Sequence, residues 1–290
     1  MATFPIVLVH GIARFDILAV RVREKFNLPD NGHGGQFEYF KGIKRHLEDN
    51  GFKVSAPNLA FAGPIDSRAV GLSNHVSEVL RETQSQKVNI IAHSMGGLDA
   101  RHMIVDKGMA DRVATLTTIG TPHHGTSVAD HFARPVGAAL VHELDQAIDV
   151  DGLANLRTAA CAEFNQRAED AEARNAVVYQ TYAASESIPH VFLPLFFSWD
   201  HIRRHEGDND GLVSVRSQQW TGELVAIDGT RKSIVQRTFP FRADHLNEIG
   251  WWDAEEAITS FFSGVSLVKQ ALKYEQRVRD LYLQIAQGLP

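Results

Sequence analysis

One short stretch of the sequence has the residues and spacing that nucleophilic chemistry needs. Residues 89–97, NIIAHSMGG, are typical of a buried strand that runs into a tight turn with Ser94 at its tip and then into a helix. Such a turn exposes the serine hydroxyl above a sheet, and the start of the helix directs backbone N–H groups at developing negative charge. Ala92 stands where the usual pattern, G-x-S-x-G, has its first glycine. Alanine adds only a methyl group, so we predict that Ser94 is a nucleophile.

A second element follows the first predicted strand, in the run Val9-His10-Gly11-Ile12. When serine attacks a carbonyl carbon, the carbonyl oxygen becomes an oxyanion and needs N–H donors that are positioned in advance. We predict that the backbone N–H groups of Ile12 and Met95 are these donors. A His-Gly pair is weak evidence by itself, because glycine commonly ends strands.

An acid and a base that would activate the serine occur later in the chain. The turn 207–213, GDNDGLV, is followed by the loop 242–248, RADHLNE. This gives the chain order serine, acid, histidine, in which the histidine accepts the serine proton and the acid orients the imidazole ring. We predict that His245 is the base and Asp210 the acid, with Asp208 as the competing acid. The chain has 14 histidines, so order and loop position single out His245.

The composition excludes several other classes of protein. The 290 residues are 44 % hydrophobic and 22 % charged, with a net charge of −6, which indicates a globular chain with a large core and no nucleic-acid partner. The single cysteine, Cys161, allows neither an intrachain disulfide nor a cysteine-based metal site. No apolar run has the roughly 20 residues of a membrane span. No signal peptide begins the chain, so the protein is either cytoplasmic or secreted with its signal removed or by another route.

Apolar runs of strand length alternate with stretches of helical spacing, which predicts one α/β domain over residues 1–290 with a largely parallel sheet. The strands are predicted at 5–10, 52–56, 87–92, 113–119 and 177–182, with a further strand-like run at 233–239. The helices are predicted at 40–50, 73–83 and 97–107. Two segments interrupt the alternation: an insertion at about 130–165 with an apolar stripe from Phe132 to Ile148, and an irregular excursion at 185–209.

Five motifs in this order resemble those of the α/β-hydrolase-fold bacterial triacylglycerol lipases, particularly the foldase-dependent branch. They are VLVHGI, NIIAHSMGG, TTIGTPHHGT, NDGLVS and DHLNEIG, and the resemblance covers about residues 5–255. It implies a mostly parallel sheet with helices on both faces, the catalytic residues Ser94, Asp210 and His245, and the oxyanion donors Ile12 and Met95. It also implies that residues around 130–150 form a mobile helical lid over an acyl-chain cleft.

The sequence departs from this family at two points. The foldase-dependent lipases usually carry a disulfide, which one cysteine cannot form. They also bind calcium through an aspartate two residues after the catalytic histidine, and here that residue is Asn247, a weaker ligand for a hard cation. We therefore expect no required cofactor and regard a structural calcium as doubtful. His201 and His205 have a spacing that could bind zinc, but a solvated charged turn explains them better.

The sequence thus predicts a serine ester hydrolase, most simply a triacylglycerol lipase that cleaves esters of medium-chain or long-chain acyl groups through an acyl-enzyme at a lipid–water interface. A carboxylesterase or an acyltransferase without interfacial activation is the alternative within this chemistry. A catalytically silent hydrolase scaffold that binds lipid is the alternative outside it. Chain-length preference and oligomeric state are left open.

Overall fold

The computed structural model of the protein describes residues 3–12, 39–60, 63–132, 153–251 and 267–290. Within these ranges the chain forms a parallel sheet of six strands in the order β2-β1-β3-β4-β5-β8, and a separate antiparallel pair, β6-β7. The strands are β1 Ile6–Val9, β2 Val54–Ser55, β3 Val88–His93, β4 Val113–Ile119, β5 Val178–Ala183, β6 Glu223–Val225, β7 Arg231–Ser233 and β8 Val235–Thr238.

The described helices connect these strands or follow them. They are α1 Ile43–Asp49, α2 Ile65–Thr83, α3 Met95–Asp106, α4 Ser127–Phe132, α5 Thr158–Arg174, α6 Phe196–His205, α7 Val215–Gln218 and α8 Leu267–Gln287. Short 3₁₀ turns lie at Ala110–Arg112, Ala154–Leu156, Leu193–Leu195 and Asn247–Ile249. Among the described helices, none combines the length and the apolar character that crossing a bilayer requires.

Both faces of the central strands β1, β3 and β4 are buried, which explains their continuous apolar sequences. In β1, Ile6 and Leu8 face the cluster formed with α1 and α8, whereas Val7 and Val9 face the cluster formed with α2 and α3. This alternation follows from the two-residue period of a strand. The six strands are parallel, so their carboxyl ends share one edge, where the chain leaves β1 at His10 and β3 at Ser94. The predicted fold class is confirmed.

Two predicted elements have the wrong limits. The helix expected at 73–83 begins eight residues earlier, because Pro64 starts it and α2 runs through Gly71. Gly71 packs closely on Leu59, since a Cβ would lie 3.3 Å from Leu59 Cδ2 and that methyl group would have to move slightly. The strand expected at 233–239 is β8, Val235–Thr238, which pairs with β5 at the edge of the main sheet; its first expected residue, Ser233, instead ends β7, which pairs with β6.

The structure describes part of the insertion at 130–165 and the whole of the excursion at 185–209. In the insertion expected at 130–165, the structure describes α4 as far as Phe132, and then residues 153–165, which include the start of α5 at Thr158. Most of the apolar stripe that predicted a lid, from Val136 to Ile148, lies outside the described residues. Where the description stops, Phe132 packs on an apolar cluster that contains Ile12 and Met95. In the excursion, residues 196–205 form α6.

The turn between β3 and α3 brings three backbones close together. A Cβ on Gly96 would lie 2.7 Å from the carbonyl oxygens of both Val9 and His10. A Cβ on Gly97 would overlap the Thr121 side chain. By contrast, the Ala92 methyl group is fully buried in the apolar cluster beneath α2 and α3. Glycine is therefore required after the serine, at Gly96 and Gly97, and not before it, at Ala92.

We predict that Gly96→Ala lowers the free energy of unfolding by about 1–3 kcal/mol, because the methyl group must displace backbone atoms. Chemical denaturation measures this change. Gly222→Ala is the matched control: no atom lies within 4 Å of the added methyl group, so its stability should change by no more than about 0.5 kcal/mol. Equal losses in the two variants would contradict the close approach.

Candidate active site

Ser94 lies at the tip of the turn in a strained conformation. Its φ is 57° and its ψ is −134°, a region that non-glycine residues rarely adopt and that surrounding contacts must hold. The Ser94 N–H donates to Ile119 O at 2.9 Å, and the Ser94 carbonyl accepts from Thr121 Oγ1 at 2.8 Å and from Gly97 N at 3.1 Å. Ser94 is therefore held through its backbone, and no helix-cap hydrogen bond involves its side chain.

The residues predicted as acid and base lie together. His245 Nδ1 is 2.8 Å from Asp210 Oδ2, and the His245 backbone N–H donates to Asp210 O at 2.8 Å. Asp210 Oδ1 accepts from the N–H groups of Leu212 and Val213 at 2.8 and 2.7 Å. Asp210 is fully buried and His245 is 2 % exposed. The carboxylate is thus fixed by backbone donors, and it can hold the ring in the tautomer that leaves Nε2 free to accept a proton.

The competing acid lies elsewhere. Asp208 pairs with Arg203, and the Asp208 side chain is 71 % exposed. Asp210, two residues later, is fully buried, and its Oδ2 reaches His245 Nδ1. The burial of one carboxylate and the exposure of the other separate the two candidates, which sequence order alone could not do.

The structure does not join the base to the serine by a hydrogen bond. Both residues are described, and no bond links Ser94 Oγ to His245 Nε2. The His245 ring is nevertheless 4.5 Å, between ring centroids, from the ring of His93, which precedes Ser94. Such bonds are often long in enzymes without substrate and shorten in the reacting complex.

The two predicted oxyanion donors lie next to the serine. A Cβ on Gly11 would be 2.7 Å from Ser94 Cβ and 3.0 Å from Ser94 Oγ, so the loop that ends β1 touches the serine side chain. Met95 is the first residue of α3, where backbone N–H groups have no partner within the helix. Neither the Ile12 N–H nor the Met95 N–H donates to another group in the described part of the chain. Both amides are available to a bound oxygen.

Sequence analysis gave no role to two buried side chains of this site. Gln218 of α7 donates from Nε2 to Asp210 Oδ2 at 3.1 Å, and its amide also bonds the backbone of Ala184. Glu248 Oε2 lies 3.0 Å from His93 Nε2 and 3.8 Å from His245 Nδ1. Glu248 is three residues after His245, a spacing that brings side chains together in a helical turn. The sequence could therefore have indicated that Glu248 belongs to this site. No such signal exists for Gln218.

Glu248 and His93 are both driven towards their neutral forms. Burial raises the pKa of Glu248 well above its usual range, and the nearby charges of Asp210 and Asp244 raise it further. Burial lowers the pKa of His93, with a further contribution from His245. A neutral Glu248 leaves Asp210 as the negative charge that stabilises a protonated His245.

His93, His245 and Glu248 are also the group of three potential metal ligands found within the described residues. Their facing atoms are engaged with one another and with Asp210, so a metal there would displace the contact between His245 and Asp210. His201 and His205 lie on α6, where His205 Nδ1 bonds the His201 carbonyl at 2.7 Å.

The position expected to bind calcium is occupied by a hydrogen-bonded turn. Asn247 Nδ2 donates to Trp251 O at 2.8 Å, and Asn247 Oδ1 accepts from the Asp244 N–H at 3.2 Å. Asp244 Oδ1 accepts from the N–H groups of Leu246 and Asn247, and its Oδ2 accepts from the Phe192 N–H. Calcium takes six to eight oxygen ligands, and these oxygens already accept backbone N–H groups. The residues do not fit the ion.

The order of these elements and the strained serine turn agree with comparisons of the whole chain. A family model described as alpha/beta hydrolase fold matches residues 5–200. The chain belongs to the alpha/beta-hydrolase fold family. It is 27 % identical to triacylglycerol lipase 2 of Saccharomyces cerevisiae over 321 aligned positions, which cover 98 % of this chain and 90 % of that protein.

Bacterial members of the alpha/beta-hydrolase fold are also similar. A triacylglycerol lipase of Pseudarthrobacter phenanthrenivorans is 34 % identical over 209 positions, or 64 % of this chain and 60 % of that protein. The crystal structure of a mature lipase of Bacillus licheniformis matches with a TM-score of 0.62 and 20 % identity, covering 90 % of this chain and 91 % of the other. The resemblance to bacterial lipases stated from the motifs is confirmed at the level of the family.

His10 is neutral in this alpha/beta-hydrolase site, and its titration is testable. Its Nδ1 bonds Gly11 O at 2.8 Å and its Nε2 accepts from the Leu59 N–H at 3.1 Å. Burial, followed by the charge of Arg68, lowers the pKa of His10 to about 4. The unfolded chain therefore binds a proton at a pH where the folded chain does not. The stability that neutral His10 contributes is complete above pH 6.5 and is lost as the pH falls towards 4.

We predict that His10→Asn, which cannot titrate, removes this part of the pH dependence. The difference in unfolding free energy between the natural protein and the variant should shrink by about 2 kcal/mol between pH 7 and pH 4.5. Denaturant titrations at both pH values measure it. A difference that stays constant would show that folding does not lower the pKa of His10.

Proposed function

We propose that the protein is a serine ester hydrolase with Ser94 as nucleophile, His245 as base and Asp210 as the acid that orients the base. The observation that carries the proposal is the strained Ser94 turn with the Gly11 loop against its hydroxyl, at the sheet edge to which the His245–Asp210 pair also belongs. Membership of the alpha/beta-hydrolase fold family supports the same roles.

The reaction proceeds in two halves. Ser94 Oγ attacks the ester carbonyl carbon while its proton moves to His245 Nε2, and the carbonyl oxygen becomes an oxyanion that accepts the N–H groups of Ile12 and Met95. The tetrahedral intermediate collapses, and the departing alcohol takes the proton from His245. Water then attacks the acyl-enzyme by the same steps and releases the carboxylic acid and free Ser94.

The substrate class that we propose is a lipid ester, in the simplest case triacylglycerol. The relatives from Saccharomyces cerevisiae and Pseudarthrobacter phenanthrenivorans are both named triacylglycerol lipases. The apolar cluster around Ile12 and Met95 offers surroundings that suit an acyl chain. At the start of α6, Phe196 and Phe197 are 36 % and 67 % exposed, and exposed apolar side chains of this size suit a lipid surface.

We predict that Ser94→Ala lowers kcat on p-nitrophenyl esters and on emulsified triacylglycerol by at least about 10⁴-fold. The variant should also lose covalent labelling by an alkyl phosphonate. Ser198→Ala is the control. Ser198 is a buried serine of α6 whose hydroxyl donates to Leu195 O, and it is not part of the proposed mechanism. Turnover or labelling that survives in Ser94→Ala would refute the assignment.

The same assay separates a lipase from its alternatives. A lipase hydrolyses the emulsified long-chain ester faster than a short soluble ester. Faster turnover of the short ester would instead assign a carboxylesterase, and transfer of the acyl group to an added alcohol in preference to water would assign an acyltransferase.

We further propose that the turn carrying His245 is held by hydrogen bonds and needs no calcium. EDTA, and excess calcium after it, should change neither the Tm nor the rate on a soluble ester. Asn247→Ala should lower the free energy of unfolding by about 1–3 kcal/mol, because buried backbone groups lose their partners, whereas Asn50→Ala, at an exposed helix end, should lower it less. A Tm that falls with EDTA and recovers with calcium would contradict this proposal.

A further inference from the structure

A buried arginine contacts the loop that carries the proposed oxyanion donor Ile12. The Arg68 side chain, on α2, is completely buried. Its Nη2 donates to His10 O at 2.9 Å and lies 3.4 Å from Gly11 O, and its Nη1 donates to Ala60 O at 2.6 Å. Burying a guanidinium is unfavourable unless its donors are satisfied, and here the acceptors include both carbonyls of the His10-Gly11 turn.

The same guanidinium connects this loop to the helix that offers the second donor. Arg68 Nε and Nη2 donate to Asp99 Oδ2 at 2.9 and 2.6 Å, and Asp99 is also fully buried. Asp99 lies one turn after Met95 on α3. Arg68 therefore links the two separate parts of the chain that supply the proposed oxyanion N–H groups.

Because a peptide unit is planar, these contacts also fix the direction of the Ile12 N–H. The Gly11 carbonyl and the Ile12 N–H belong to one planar trans peptide unit and point in opposite directions. The Gly11 oxygen is held by His10 Nδ1 at 2.8 Å and faces Arg68 Nη2. Fixing that oxygen on one side fixes the direction of the Ile12 N–H on the other.

We propose that Arg68 is a positioning residue that sets the oxyanion donors before substrate binds, by tying the His10-Gly11 carbonyls to Asp99 of α3. This inference rests on the proposed ester hydrolysis. Arg68 touches neither the serine nor the ester. Its effect should fall on kcat, since pre-positioned donors act where charge develops in the transition state.

A solvent-accessible cleft leads to the arginine. Residues 57–60 and one side of α2 line a cleft of about 520 Å³, and Arg68 is part of its lining. Shortening Arg68 would therefore open a space, next to Asp99, that a small guanidinium ion can enter from solution.

The test compares Arg68→Met with Arg101→Met. Arg101 lies on α3 and is equally buried in an ion pair with Glu172, but none of its hydrogen bonds among the described residues reaches His10, Gly11 or Ile12. Arg68→Met should lower kcat on a soluble p-nitrophenyl ester roughly 10- to 100-fold with KM nearly unchanged. The affinity for an alkylboronic acid, which places an oxygen where the oxyanion forms, should fall by the same factor. Arg101→Met should lose stability but keep its kcat.

Chemical rescue provides the second readout. Methylguanidinium in the millimolar range should restore part of the kcat of Arg68→Ala and none of any loss in Arg101→Ala. If Arg68→Met does not fold, Arg68→Lys replaces it, because one ammonium cannot span Asp99 and the loop carbonyls together, so kcat should still fall.

A folded Arg68 variant with unchanged kcat and unchanged boronic-acid affinity would overturn the proposal, and so would equal losses of kcat in the Arg68 and Arg101 variants. These outcomes are separate from failure of the proposed function, which shows as no ester hydrolysis by the natural protein or as hydrolysis that survives in Ser94→Ala.

Discussion

The close approach of β1, β3 and α3 at their common edge is the constraint on which the site depends. Gly96 lies against the carbonyls that end β1, and Ser94 is held in a strained conformation by hydrogen bonds to Ile119, Thr121 and Gly97. The turn can be this sharp only because no side chain separates the helix from the neighbouring strand. The sharpness in turn brings the Gly11 loop against the serine hydroxyl and leaves the Met95 N–H without a partner among the described residues.

Around this turn, burial decides which groups carry charge. His10 and His93 have pKa values lowered by burial, whereas burial raises the pKa of Glu248. The buried Asp99 follows the same rule, since burial raises its pKa to about 6 although the charge of Arg68 opposes the shift. The site therefore combines neutral groups near the base with a guanidinium that bonds fixed carbonyl oxygens, and both features limit reorganisation when the oxyanion forms.

Hydrogen bonds from two side chains to backbone groups hold the turn that carries His245. Asp244 accepts three backbone N–H groups, and Asn247 bonds backbone groups with both ends of its amide. A neutral amide can donate and accept, whereas an aspartate at position 247 could only accept. Asn247, at the position where the resembled lipases carry an aspartate, therefore serves this turn as both donor and acceptor.

The sequence by itself determined the fold class, the main strands and the serine turn, because strand burial, helix spacing and glycine positions are local properties. Its chain order also selected His245 from 14 histidines, although the choice between Asp208 and Asp210 needed the structure. Only tertiary structure brought Gln218 to Asp210 and tied Arg68 to both the His10 carbonyl and Asp99. Residues 58 positions apart in the chain, such as His10 and Arg68, leave no periodic signal, and their contact exists only once α2 packs on the sheet. In the sequence, Ala92 was the residue that departed from the usual pattern of the serine turn. In the structure, the position that tolerates no side chain is Gly96, where neighbouring backbones meet.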